Sequence, residues 1–297
     1  MNNLKDVLAK YDIKPRGYEF IGKVKVIDTD KGKLVYKENS NNYDIYEYLK
    51  TRGFTFFPRS LNLKNDSYDL LEYIEEVNIP LEQKLNDLIH LTGILHRQTS
   101  FQKEIDMDLI KDLYESMQKE CNYLLAYYED LNQYIDTIVF MSPSEYLLVS
   151  NIDLIYFLLT FVKVESENWY NILKTKKSIR YSMIHNNLSL DHTLVSDNRY
   201  LISWSRAKLD MPIYDLIRIY EENYYDIELE NLLHEYEVEN RILEEEYLFL
   251  LLKLAIPKRI EFTQNTYKDC YELNKYLIYL SKIGALIQKM DRKVEKV

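Results

Sequence analysis

The chain has 297 residues, 46% hydrophobic and 29% charged, enough for one two-lobed unit or two modest domains. Its formal charge of −10, with only short basic runs such as Lys174-Thr175-Lys176-Lys177, argues against a polyanion partner, so no nucleic-acid role is expected. The start lacks the apolar core of a signal peptide, and the longest apolar runs, 154–162 and 247–252, are too short to span a bilayer, so no membrane span and a cytoplasmic location are expected.

The first residues read as a short amphipathic helix. Two β-rich runs follow, 18–28 and 33–38, separated by the turn signal Thr29-Asp30-Lys31-Gly32, and two strands joined by a tight turn are expected. Residues 41–52 predict a helix with Ile45, Tyr48 and Leu49 on one face, ended by Gly53. A further strand is predicted over 68–74, leading into the acidic pair Glu75 and Glu76.

From Pro80 onward the pattern is helical. Leu81, Leu85, Leu88, Ile89 and Leu95 recur at helical spacing, with Pro80 suited to a first turn. His90 and His96 lack a metal-ligand partner at i+4 and read as structural. Ser142-Pro143-Ser144-Glu145 carries a helix-start signature and opens a segment reaching toward Lys176, with a break expected near Val164. Helices are predicted around 214–224, 227–238, 244–255 (stopped by Pro257) and 267–290. Cys121 and Cys270 sit in helical stretches without zinc-ligand spacing, so neither a disulfide framework nor a metal site is indicated. The 28 tyrosines are explained more simply by genome base composition than by function.

Between Ile184 and Leu216 the chain reads I-H-N-N-L-S-L-D-H-T-L-V, a short hairpin-like insert, then L-I-S-W-S-R-A-K-L-D-M-P-I-Y-D-L. This stretch resembles the catalytic and metal loops of the aminoglycoside/choline phosphotransferase family, whose pattern is H-G-D-L-H-P-x-N followed by hydrophobic-D-W-E-x-A-x-x-G-D-P-x-x-D-L. His185, Leu188, Leu194, Val195, Trp204, Ala207, Pro212, Asp215 and Leu216 stay in register with it. The resemblance implies an α+β, protein-kinase-like bilobal fold, with a small antiparallel-sheet N-lobe over 1–76 and a larger helical C-lobe over 77–297. It also implies that His185 orients the catalytic loop, that Asp215 accepts backbone N–H bonds beneath it, and that Trp204 packs between the lobes.

In the same overlay the chemical positions depart from the pattern. Asn187 stands where the family has its catalytic-base aspartate, and His192 and Ser203 stand where it has its metal-binding asparagine and aspartate. An amide has no basic lone pair at neutral pH, a serine offers a neutral oxygen, and imidazole suits zinc or copper better than a hard cation. Phosphoryl transfer consists mostly of positioning and charge neutralisation, so losing base and metal is expected to leave little turnover.

In the implied N-lobe, Lys37 of L-V-Y-K occupies the place of the phosphate-contacting lysine and Glu47 is placed to pair with it from the next helix, while a solvated strand lysine is the simpler account of Lys37. The carboxylate-rich stretch 221–246 resembles a pocket wall for a cationic substrate, though a solvated helix face explains it more simply.

The expected function is a catalytically inactive, kinase-like binding or scaffold protein with protein partners and no cofactor. I-H-N-N-L, L-D-H, L-I-S-W and M-S-P-S-E-Y-L-L are most similar to the spore-coat-associated (CotS-type) branch, which implies a mother-cell or spore location. One alternative is a divergent phosphotransferase using ATP and Mg²⁺, with Asp191 as the rescuing carboxylate, although a loop aspartate more simply bonds its own backbone. Another is a nucleotide sensor without turnover, binding through Lys37, Glu47 and the segment around Glu72 and Tyr73.

Overall fold

The computed structural model describes residues 4–22, 24–38, 40–263 and 265–294. In chain order its elements begin with α1 (Leu4–Ala9), β1 (Pro15–Ile21), β2 (Val24–Thr29), β3 (Gly32–Glu38), α2 (Tyr43–Thr51), β4 (Tyr68–Glu72), α3 (Leu81–Thr99) and β5 (Phe101–Glu104). They continue with α4 (Met107–Asp136), α5 (Pro143–Val149), α6 (Ile152–Lys174), β6 (Ser178–Ile184), β7 (Thr193–Val195), β8 (Arg199–Leu201), β9 (Lys208–Asp210), α7 (Ile213–Asn223), α8 (Leu229–Glu239), α9 (Glu244–Ala255) and α10 (Thr266–Val294).

The chain divides into two compact units, one of residues 1–101, 181–219 and 232–241, the other of 102–180, 220–231 and 242–297. The loops of 184–216 group with the N-terminal sheet in the first of these units.

In the first unit β1 to β4 form an antiparallel sheet in sequential order. Side chains alternate between its faces with period two. Ile27, Leu34, Tyr36, Tyr68 and Leu70 point to one face and make a core with Val7, Leu8 and Ile13. The intervening residues Val26, Val35, Lys37, Asp69 and Leu71 face a cavity instead. The single run expected over 18–28 is two strands, split at Gly22, whose φ of +59° lies in the left-handed region that glycine enters without a Cβ clash. In α2 the buried residues are Tyr46 and Leu49, while Ile45 and Tyr48 are half-buried. Gly53, at φ +80°, closes that helix by donating its N–H to Lys50 O at 3.0 Å.

In α3, Leu85, Leu88, Ile89 and Leu95 are buried, but Leu81 is 51% exposed and Pro80 is the N-cap, with ψ 142°. The hairpin-like insert is the β7–β8 pair, with Leu194 opposite Tyr200.

The second unit is helical. Gln118 of α4 donates to Lys163 O of α6 at 2.7 Å, and Trp169 of α6 stacks on Phe249 of α9 at 4.9 Å. The capping box at Ser142 and Glu145 is complete and opens α5. The break expected near Val164 lies at Ser150-Asn151, where Asn151 donates its side-chain amide to Leu147 O at 2.8 Å; Val164 is mid-helix in α6. The short polar residues compete for backbone hydrogen bonds and end the helix, whereas one β-branched residue on an exposed face does not. Among the described residues no single helix is long and apolar enough to cross a membrane.

Candidate functional site

The loops of 184–216 are organised around Asp215, near the start of α7 and fully buried. Its Oδ2 accepts the N–H of His185 at 2.7 Å and its Oδ1 that of Asn186 at 2.8 Å. His96 of α3 completes the set, with Nε2 at 3.2 Å from Asp215 Oδ2. An acceptor there places a proton on Nε2; Nδ1 lies 2.8 Å from Tyr236 Oη, which accepts from Asn240 at 2.7 Å.

His185 is equally buried. Its Nε2 donates to Ile202 O at 2.8 Å, its ring meets Trp204 edge-on at 4.7 Å, and its Nδ1 is buried with no partner among the described residues. Desolvation pushes its pKa down to about 4, against the opposing pull of Asp215, so the ring is neutral at ordinary pH. Trp204 donates to Leu201 O at 2.8 Å and lies edge-on to Phe54 and Phe57 within the same unit.

The positions that the overlay assigns to chemistry have different surroundings. Asn187 Oδ1 accepts from Arg206 at 3.3 Å. His192 turns Nδ1 into its own loop, to Asn187 O at 2.7 Å and Ser189 Oγ at 3.0 Å. Ser203 has φ +70° and Asn186 φ +56°, both left-handed. Asn visits that region readily; serine does so at a cost of about 1–3 kcal/mol. Arg206 lies at a position where the family pattern is unrestricted, and no sequence signal marked it.

Beside these loops lies a cavity of about 370 Å³. Val26, Val35 and Leu71 form its sheet wall, Leu194, Ile202 and Trp204 come from the loops, and Tyr73 and Ile74 from the segment after β4. The size is within the range of small-molecule sites, and aromatic side chains do not fill it. The backbone N–H groups of Ile74 and Glu76 donate to no other described backbone carbonyl. Lys37, Glu72, Asp191 and Ser203 all line this space, whereas Asn187, His192 and Glu47 do not.

Glu47 does not pair with Lys37. It bonds Lys50 at 2.8 Å, one turn along the exposed face of α2, because a local i,i+3 partner on the same helix is within easier reach. The carboxylate beside Lys37 is instead Asp69, its direct cross-strand neighbour on β4. Asp69 is buried and accepts from Ser40 Oγ at 2.5 Å, Asn42 N at 3.0 Å, Asn42 Nδ2 at 2.6 Å and Asn62 Nδ2 at 2.5 Å. Asp69 belongs to no motif of the sequence. The signal was a lone acid among the β-formers of Tyr68-Asp69-Leu70-Leu71, on the alternation that faces away from the core.

Among the described residues no three His, Cys, Asp or Glu side chains gather into a ready-made cation site. At the two overlaid metal positions a magnesium ion would find a serine hydroxyl and an imidazole whose Nδ1 is already engaged, with the exposed carboxylate of Asp191 on the same cavity wall as the serine. That donor set does not fit a hard octahedral cation.

No protein-family model matches the chain, and no curated protein matches it. Solved structures do match. An aminoglycoside phosphotransferase from Alicyclobacillus acidocaldarius subsp. acidocaldarius DSM 446 aligns over 100% of this chain and 98% of its own at 15% identity and TM-score 0.70. The fold is protein-kinase-like. Spectinomycin phosphotransferase APH(9)-Ia, in complex with ADP and spectinomycin, covers 95% of this chain and 97% of its own at 12% identity and TM-score 0.52. Choline kinase LicA from Streptococcus pneumoniae covers 95% and 98% at 14% identity and TM-score 0.50. At such identities the likeness is one of fold, and the α+β kinase-like architecture expected from the loops of 184–216 agrees with it.

Proposed function

We propose that the protein is a kinase-like binding module that has given up phosphoryl transfer. One observation carries the reading: the polar scaffold around Asp215 is complete, while an amide, an imidazole and a hydroxyl occupy the positions that would supply base and metal ligands. General-base help is worth roughly 10² to 10⁴ in rate, and neither Asn187 nor Ser203 offers a replacement. The open cavity gives such a module a place for a small ligand. The resemblance of I-H-N-N-L and L-I-S-W to the spore-coat-associated branch suggests spore assembly, with protein partners, as its setting.

The test is ATP consumption by the full chain with and without Mg²⁺, followed by the triple variant Asn187→Asp, His192→Asn, Ser203→Asp. The native chain is expected to consume no ATP above the uncatalysed rate, and the variant to gain metal-dependent nucleotide binding. Magnesium-dependent turnover by the native chain sinks the proposal.

A second reading, a divergent phosphotransferase, is favoured by one feature. Asp191 is exposed and lines the same cavity as Ser203, so a carboxylate is available there. Loss of any native turnover in Asp191→Asn would support it.

A further inference from the structure

The charges on the cavity wall specify what the cleft takes. Among the described lining residues there are four carboxylates, Asp69, Glu72, Glu76 and Asp191, against one ammonium, Lys37. One of the four is compensated by an ion pair. Glu76 is paired with Lys84 at 2.6 Å, outside the wall. Asp69 draws all its hydrogen bonds from neutral donors, and the cation that stands cross-strand from it on the same sheet face is Lys37. Lys37 offsets one of the three remaining carboxylates, so the wall keeps an excess of negative charge, with Glu72 and Asp191 at its exposed part.

A triphosphate entering this space would bring about four negative charges to a wall that is already negative, with no ready-made cluster of cation ligands among the described residues to neutralise it. The apolar surfaces of Val26, Val35, Leu71, Leu194 and Ile202 suit a flat uncharged group instead.

We infer that the cavity selects a planar ligand without net negative charge, a nucleoside or free base, and discriminates against nucleoside polyphosphates. The inference rests on the reading of the cleft as a binding site without metal-dependent transfer.

One scaffold at three charges tests it. Adenosine, AMP and ATP are titrated calorimetrically into the full chain without divalent cations, at low salt and again at about 0.5 M salt. The expected order is adenosine tightest, AMP weaker and ATP at least about tenfold weaker than adenosine, with the gap shrinking at high salt as wall charges are screened. The double variant Glu72→Gln, Asp191→Asn alters only exposed side chains and should narrow the ATP gap by about tenfold, at roughly threefold per charge. Metal-free ATP binding as tight as adenosine would overturn the charge selectivity while leaving a binding cleft. If none of the three binds, the cleft reading falls and the selectivity falls with it.

Discussion

Asp215 and Asp191 lie in the same compact unit, one in the first turn of α7 and the other in the turn before β7, yet their surroundings are opposite. Asp215 is fully buried and accepts from two backbone N–H groups and a histidine; Asp191 is exposed and lines an open cavity. A buried carboxylate must have all its donors in place or the fold loses several kcal/mol, so the residues around it are tied together. An exposed one is held by water, and its neighbours are free to change without cost to the fold. Scaffold positions and reactive positions can therefore part company in one motif.

The largest expected effect tests the buried side. Asp215→Ala removes the acceptor for His185 N, Asn186 N and His96 Nε2 together, and about 3–5 kcal/mol of stability should be lost, measured as the shift of the urea midpoint. A loss below about 1 kcal/mol would break the contrast.

Acid should act on the same network. The pKa of His185 is depressed to about 4 by burial, whereas the unfolded chain protonates near 6.5. Between those values the unfolded chain binds a proton that the folded chain refuses, so stability falls as pH drops from about 6.5 toward about 4, by about 3 kcal/mol in all. His185→Gln should flatten that part of the stability-versus-pH curve, and an unchanged curve would remove His185 as the cause.

A subtler probe reaches Asp215 through packing. A Cβ at Gly93 of α3 would lie 2.7 Å from Glu239 Cβ and 3.3 Å from Tyr236 O on α8. Gly93→Ala should cost about 1–3 kcal/mol and displace the Tyr236 hydroxyl that orients His96. Thermal melts give the cost, and the NMR resonances of the His96 ring report the displacement. The smallest change is expected at the open end, where Asp191→Asn should alter stability by less than about 0.5 kcal/mol. A larger loss would mean that the loop leans on this carboxylate after all.

The sequence was legible where a local rule decides the outcome. The capping box at Ser142, the span of α9 and the β7–β8 insert follow from caps, periodicity and turn residues within a few positions. It was less legible where two signals overlap. The run 18–28 alternates as one strand would, and only the sign of φ at Gly22 divides it. Asn151, not Val164, ends the helix, because a side-chain hydrogen bond outweighs a weak propensity. In the cleft, sequence pattern pointed to Lys37, Glu72, Asp191 and Ser203, all of which line the cavity, but it paired Lys37 with Glu47. That pairing depended on which side chain a strand neighbour brings close, and Asp69 brings its carboxylate through register, not through proximity in the chain.

By itself the sequence determined the order of elements, the helix starts and stops, and the chemical identity of the groups at 187, 192 and 203, since these depend on residues a few positions apart or on the residue alone. Only the tertiary structure decided that Asp69 stands beside Lys37, that Arg206 reaches Asn187, and that the cavity is open with a negative wall. Those outcomes join residues far apart in the chain, Asp69 and Asp191 among them, and strand register and loop packing, which no local preference encodes, bring them together.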